Sequence, residues 1–195
     1  MIEQIATIKL LVLIGYSILF FVLLRSRVPT AVRLHFALYL LGLGFWQFAS
    51  LVVTLTRSQA AAVTWYNLQI SALGLQSIIF YPFVRVFLGI RKRRFLPIAA
   101  YAACAAVMAL GILRLGVSEV VAGRAGYFIP VIGPVAYVGS LVSYLFWGTG
   151  VAALFAALRR EPVRLQRNRI VYVLIGALSV MVGIATDFTF LQAYP

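Results

Sequence analysis

The chain has 195 residues, 64% of them hydrophobic and 11% charged, with a formal net charge of +13. A soluble globular domain carries about 25% charged residues, so this is a membrane protein, and no stretch is long and polar enough to form a soluble catalytic domain. The basic residues fall mostly in three short turns between apolar runs, which makes them a topology signal with attraction for anionic lipid head groups rather than a nucleic-acid surface.

The apolar runs predict an all-α polytopic bundle, a single transmembrane domain over residues 1–195 with six spans. The first covers residues 5–24, long enough for a hydrocarbon core of about 30 Å at about 1.5 Å per residue. It opens on MIEQ, without a basic leader or a small-residue cleavage site before Arg25, so it reads as a retained anchor. Lys9 lies one turn inside it. The turn with Arg25, Arg27 and Arg33 leads to a second span, 36–55, which contains Gln47 and carries no charge. After Arg57 comes a third span, 63–90, with Pro82 and Arg85, followed by the cluster Arg91, Lys92, Arg93 and Arg94.

The fourth span, 95–115, is rich in alanine and ends beside Arg114. The longest connection follows, holding Glu119 and Arg124, and its Pro130, Gly133 and Pro134 break the chain before a fifth span at 135–158. A second basic cluster, Arg159, Arg160, Arg164, Arg167 and Arg169, precedes the sixth span, 170–188.

The loops after spans one, three and five hold twelve lysines and arginines, whereas those after spans two and four hold only Arg57 and Arg124. By the positive-inside rule the N-terminus is outside, and six spans return Pro195 to the same side. Trp65, Tyr66, Tyr127, Phe128 and Tyr194 then fall near the outer boundary, and Tyr101 and Tyr172 near the inner one, as interfacial belts require.

Chemistry has few candidate groups. One His, one Cys and four scattered carboxylates cannot build a metal or haem shell, and no cofactor is expected. Cys104 has no cysteine partner within the chain, and no serine has a His or acidic partner at suggestive spacing. His35, at the inner end of span two, reads as an interfacial polar residue. The final span offers no lysine for a retinal Schiff base.

What remains is polar groups at membrane depth, which are costly and therefore functional suspects. Gln69 and Gln76 share one face of span three, either as interhelical glue worth about 0.6 kcal/mol each or as a ligand-lining face. Tyr137, Ser140, Tyr144 and Trp147 form a stripe on span five, either a packed face or a pocket wall. Gly176, Ser179 and Gly183 offer a small face on span six, with alanine faces on span four (Ala99 and Ala103, Ala102 and Ala106) to match. Arg85 is expected to snorkel toward the inner boundary. Asp187, near the outer end of span six, is either solvated there or paired with Lys9 or Arg114 at similar depth.

The stretches HFALYLLGLGFWQFASLV and WYNLQISALGLQSIIFYPFVRVFLG, the Gly133-Pro134 start of span five, the arginine hinge, and a close built from Gly183, Asp187, Phe188, Tyr194 and Pro195 resemble the N-terminal seven-transmembrane sensor region of bacterial histidine kinases. The resemblance covers nearly the whole chain. It implies a membrane-embedded input domain in a bacterial cytoplasmic membrane that passes a signal through helix repacking, with no catalytic residues of its own. In that family the Tyr-Pro continues into a seventh helix and on to kinase or cyclase domains. Six spans ending at Pro195 fit a sensor region cut before its last helix, or a stand-alone homologue. The other reading is a non-catalytic subunit of a larger membrane complex; a small transporter lacks the discontinuous helices expected at matched positions. The expected partners are anionic lipids on the cytoplasmic side, a second copy as a homodimer, or a larger membrane complex; nucleic acid is not among them.

Overall fold

The computed structural model describes the backbone of residues 2–90, 95–123 and 128–193, and side chains within those stretches from residue 3 to residue 184. Its elements in chain order are α1 (Ile2–Arg25), α2 (Thr30–Leu55), α3 (Gln59–Phe87), α4 (Phe95–Ile112), β1 (Val117–Ala122), β2 (Phe128–Ile132), α5 (Pro134–Arg160) and α6 (Arg164–Ala193). Six helices are long and apolar enough to cross a membrane, as the apolar runs predict.

Local chemistry sets the ends. Ser58 caps α3, its hydroxyl accepting from Ala61 N–H, so the helix starts at Gln59, ahead of its apolar run. At the other end Gly89 takes φ +66°. Ile90 N–H bonds the Arg85 carbonyl and Gly89 N–H the Val86 carbonyl, which closes the helix in a Schellman turn. The α4 terminus repeats this geometry with Leu115 on Leu110 and Arg114 on Gly111, but Arg114 fills the left-handed position at φ 56°. That turn ends the helix at Ile112 and leaves the Arg114 side chain exposed.

The long connection between spans four and five folds into an antiparallel hairpin, with Val117 opposite Ile132 and Ala122 opposite Phe128. A bulge separates Val117 from Glu119. Pro130 sits opposite Val120, a position open to proline because each strand of a two-stranded sheet is an edge. Gly133 N–H donates to the Gly116 carbonyl at 2.8 Å, closing the base of the hairpin directly before Pro134 begins α5.

The bundle is organised around α3. In its span 78% of residues are buried, against 6% in α1. Helices α2, α4 and α5 pack on α3, α1 packs on α2, α6 packs chiefly on α5, and α4 and α5 touch each other only sparsely. Small residues permit this crowding, since bilayer helices associate by close packing rather than by a hydrophobic drive. A Cβ at Gly42 of α2 would stand 2.9 Å from the Gln76 Cβ, and one at Gly150 of α5 would stand 3.0 Å from the Phe80 ring. A Cβ at Gly111 of α4 would run into the Ser71 hydroxyl, and one at Gly74 of α3 would meet Val107 at 2.7 Å. Each helix that faces α3 thus presents a glycine to it.

Away from the hairpin, aromatic rings fill the α2–α3 contact. Phe36 and Phe83 stack at 5.1 Å, Tyr39 lies 5.5 Å from Phe80, and Trp147 of α5 stacks on Phe80 at 6.2 Å. Pro82 lies inside α3, and its missing N–H frees the Ile78 carbonyl from the helix ladder.

Candidate functional site

At the hairpin end, three side chains of α3 grip the hairpin backbone. Gln59 Nε2 donates to the Val120 carbonyl at 3.0 Å, and the Tyr66 hydroxyl donates to the Phe128 carbonyl. Between them Asn67, 1% exposed, is fully engaged. Its Oδ1 accepts from Gly116 N–H and Val117 N–H, both at 2.9 Å, and its Nδ2 donates to the Val117 carbonyl at 2.8 Å and to the Val63 carbonyl at 2.9 Å. Val53, Ala62, Tyr66, Val117 and Val120 form a separate apolar cluster around this clasp. Just beneath it, α3, α4 and α5 leave a cavity of about 20 Å³, room for a water molecule, with Asn67, Ser71, Gly111 and Ser140 in its wall.

Deeper in the bundle, the α2–α3 interface holds a polar seam. Gln69 and Gln76, predicted on one face of the third span, are both buried, at 8% and 1% exposure. Neither Oε1 has a hydrogen-bond partner, nor do the buried Tyr39 hydroxyl and Trp46 Nε1 of α2. Two donors on α2 and two acceptors on α3 are thus buried without a hydrogen-bond partner. Such groups are expensive at membrane depth.

Lys9 is held on α2: its Nζ donates to Ser50 Oγ at 2.6 Å and Thr54 Oγ1 at 3.1 Å, while Gln47 Nε2 donates to the Lys9 carbonyl at 3.3 Å. The Asp187 side chain lies outside the described residues, and so does its expected pairing with Lys9 or Arg114. Arg114 takes the left-handed position that stops α4.

The stripe on α5 divides. Trp147 turns inward onto Phe80, whereas Tyr144 and Tyr137 are exposed at 39% and 64%. Where α5 comes closest to α3, at Gly74 and Phe80, it presents the small Ser143 and Gly150, and Ala136 and Leu154 are the other buried residues of α5. Likewise Gly176, Ser179 and Gly183 are exposed on α6, which turns Ile170, Leu174, Ala177 and Ile184 inward; the expected match with the alanine faces of α4 is not formed. Arg85 does not snorkel. It is 7% exposed, with Nη1 donating to the Tyr81 hydroxyl at 3.1 Å and Nη2 to the Ile90 carbonyl at 3.3 Å.

Arg159, Arg160, Arg164, Arg167 and Arg169 are exposed around the α5–α6 turn, whereas Arg91, Lys92, Arg93 and Arg94 lie outside the described residues. Among the described residues, no three of His, Cys, Asp and Glu come together as a set that could hold a metal ion.

Six membrane-length helices, with α3 as their buried, partly polar hub, define a polytopic membrane protein. A family model, the N-terminal 7TM region of histidine kinase, matches residues 7–195. The chain therefore belongs to that family, and membership supports a membrane sensor region as its role. No curated protein and no solved structure matches the chain.

Proposed function

We propose that the chain is the membrane input domain of a bacterial histidine-kinase-type receptor, set in the cytoplasmic membrane with its N-terminus and hairpin outside. A signal reaching the hairpin end moves the packing of the helices around α3, and the α5–α6 end passes that movement inward. One observation carries this reading: the hairpin is joined by the Asn67 clasp to α3, the helix against which α2, α4 and α5 all pack. A movement of the hairpin is therefore a movement of the hub. The chain has no catalytic part in this scheme; ATP chemistry belongs to the kinase it would control. The exposed arginines of the α5–α6 turn face anionic head groups of the inner leaflet, which also offset the positive end of the α6 dipole.

Labelling and phosphorylation test this together. In a Cys104→Ala background of the full-length protein, Ser118→Cys should react with a membrane-impermeant maleimide in intact spheroplasts, and Arg160→Cys only after lysis. Membranes carrying the full-length protein should show ATP-dependent autophosphorylation on histidine. Labelling of both positions from one side, or membranes without that activity, would contradict the proposal.

A further inference from the structure

The mismatch in the α2–α3 seam has a regular geometry. The two helices run antiparallel, with Phe36 against Phe83, Tyr39 against Phe80, and Gly42 against Gln76. Gln76 lies one turn before Phe80 on the same face of α3. Counting along the antiparallel pair from the Tyr39–Phe80 contact, Trp46 stands level with Leu73, and Gln69 lies one turn before Leu73. The orphaned donors, Tyr39 and Trp46, are seven residues apart, and so are the orphaned acceptors, Gln76 and Gln69. Both mismatches therefore have the same size and the same direction.

We propose that α2 and α3 have a second packing register, one helical turn from the observed one, in which the Tyr39 hydroxyl donates to Gln76 Oε1 and Trp46 Nε1 donates to Gln69 Oε1. A single slide of α3 along α2 toward its Phe87 end, by four residues or about 6 Å, brings both pairs level at once. Turn-by-turn ratchets of this kind are a known way for packed helices to switch, because interdigitated side chains have discrete resting places. The observed register is held by the aromatic contacts of Phe36, Tyr39, Phe80 and Phe83 and by the seat of Gln76 on Gly42. The shifted register gives up those contacts and satisfies four buried polar groups. The inference rests on the reading of the chain as an input domain, for which it supplies two states that a signal at the hairpin could bias.

Disulfide trapping in membranes reads the register without any kinase output, so the slide and the receptor role fail separately. In a Cys104→Ala background, Leu40→Cys with Ile79→Cys reports the observed register, since this pair lies one turn along from Phe36 and Phe83. Leu40→Cys with Leu75→Cys reports the shifted one. The first pair should crosslink as the major species and the second as a minor one above the uncrosslinked background. Phe83→Leu should raise the second yield. Tyr39→Phe together with Trp46→Phe should lower it by about tenfold, the weight of two interhelical hydrogen bonds in a bilayer. Trp46→Phe and Gln69→Leu should each lower it, and combining them should lower it no further. A second yield at background throughout, or one indifferent to the loss of both donors, overturns the proposal. Loss of both crosslinks in the Phe variants also overturns it, because those substitutions keep the bulk that holds the observed register.

Discussion

Asn67 and Val117, fifty residues apart, are paired as two neighbouring strands would be: the Asn67 side-chain amide accepts the Val117 N–H at 2.9 Å and donates to its carbonyl at 2.8 Å. A side chain of a membrane-length helix thereby satisfies both backbone groups of the first residue of β1. Asn67→Ala should strand those groups and the Gly116 N–H at a cost of about 1–3 kcal/mol. Hydrogen exchange of the protein in nanodiscs should show the Val117 amide exchanging at least roughly tenfold faster. Asn67→Asp keeps the two accepted bonds and loses the two donated ones, so its amide should exchange at an intermediate rate.

Gly111 brings α4 down onto Ser71 and the Asn67 carbonyl. Gly111→Ala should lower stability by about 1–3 kcal/mol through overpacking. Ser71→Gly in the same chain should recover more of the loss than Ser71→Ala, which removes the hydroxyl but keeps the Ser71 Cβ 2.7 Å from the added methyl. Thermal unfolding in detergent orders the three variants.

Arg114 takes φ 56° where the same turn in α3 has a glycine. The left-handed conformation costs an L-residue roughly 1–2 kcal/mol. Arg114→Gly should therefore raise stability by about 1 kcal/mol, net of the greater freedom glycine has in the unfolded chain. Arg114→Ala should leave the melting temperature nearly unchanged.

Lys9 ties α1 to α2 through two hydroxyls. Lys9→Met should cost about 1 kcal/mol, near the range measured for interhelical hydrogen bonds in bilayers. Ser50→Ala alone should cost less, since Thr54 still accepts. Steric-trap unfolding in bicelles should show the Lys9→Met and Ser50→Ala effects to be less than additive.

Much of the bundle was legible because apolar runs of membrane length admit little besides helices. Gln69 and Gln76 were also legible as suspects, since an amide at membrane depth is conspicuous. Asn67 was not. Close to the start of its span it reads as an interfacial residue, and its four partners are backbone groups, three of them about fifty residues away. The spacing of Asn67, Ser71, Gly74 and Ile78 along one helical face was the available signal, because small and polar residues on such a stripe mark a buried helix face in a membrane. The hairpin was hidden for a different reason. A bulge gives β1 a burial pattern with a period of three rather than two, and Pro130 argues against a strand. The division of Tyr144 from Trp147 turned on which face of α5 meets α3. That depended on the small residues Ser143 and Gly150, which an eye drawn to aromatic spacing passes over.

The most direct test of the hairpin-to-hub coupling is histidine autophosphorylation of the full-length protein in native membranes, with and without Asn67→Ala, alongside hydrogen exchange of residues 116–121 on the same samples. The predicted result is a several-fold change in autophosphorylation in the variant whose hairpin has loosened, at unchanged amounts of membrane-inserted protein. A loosened hairpin with autophosphorylation equal to that of the unaltered protein would contradict it.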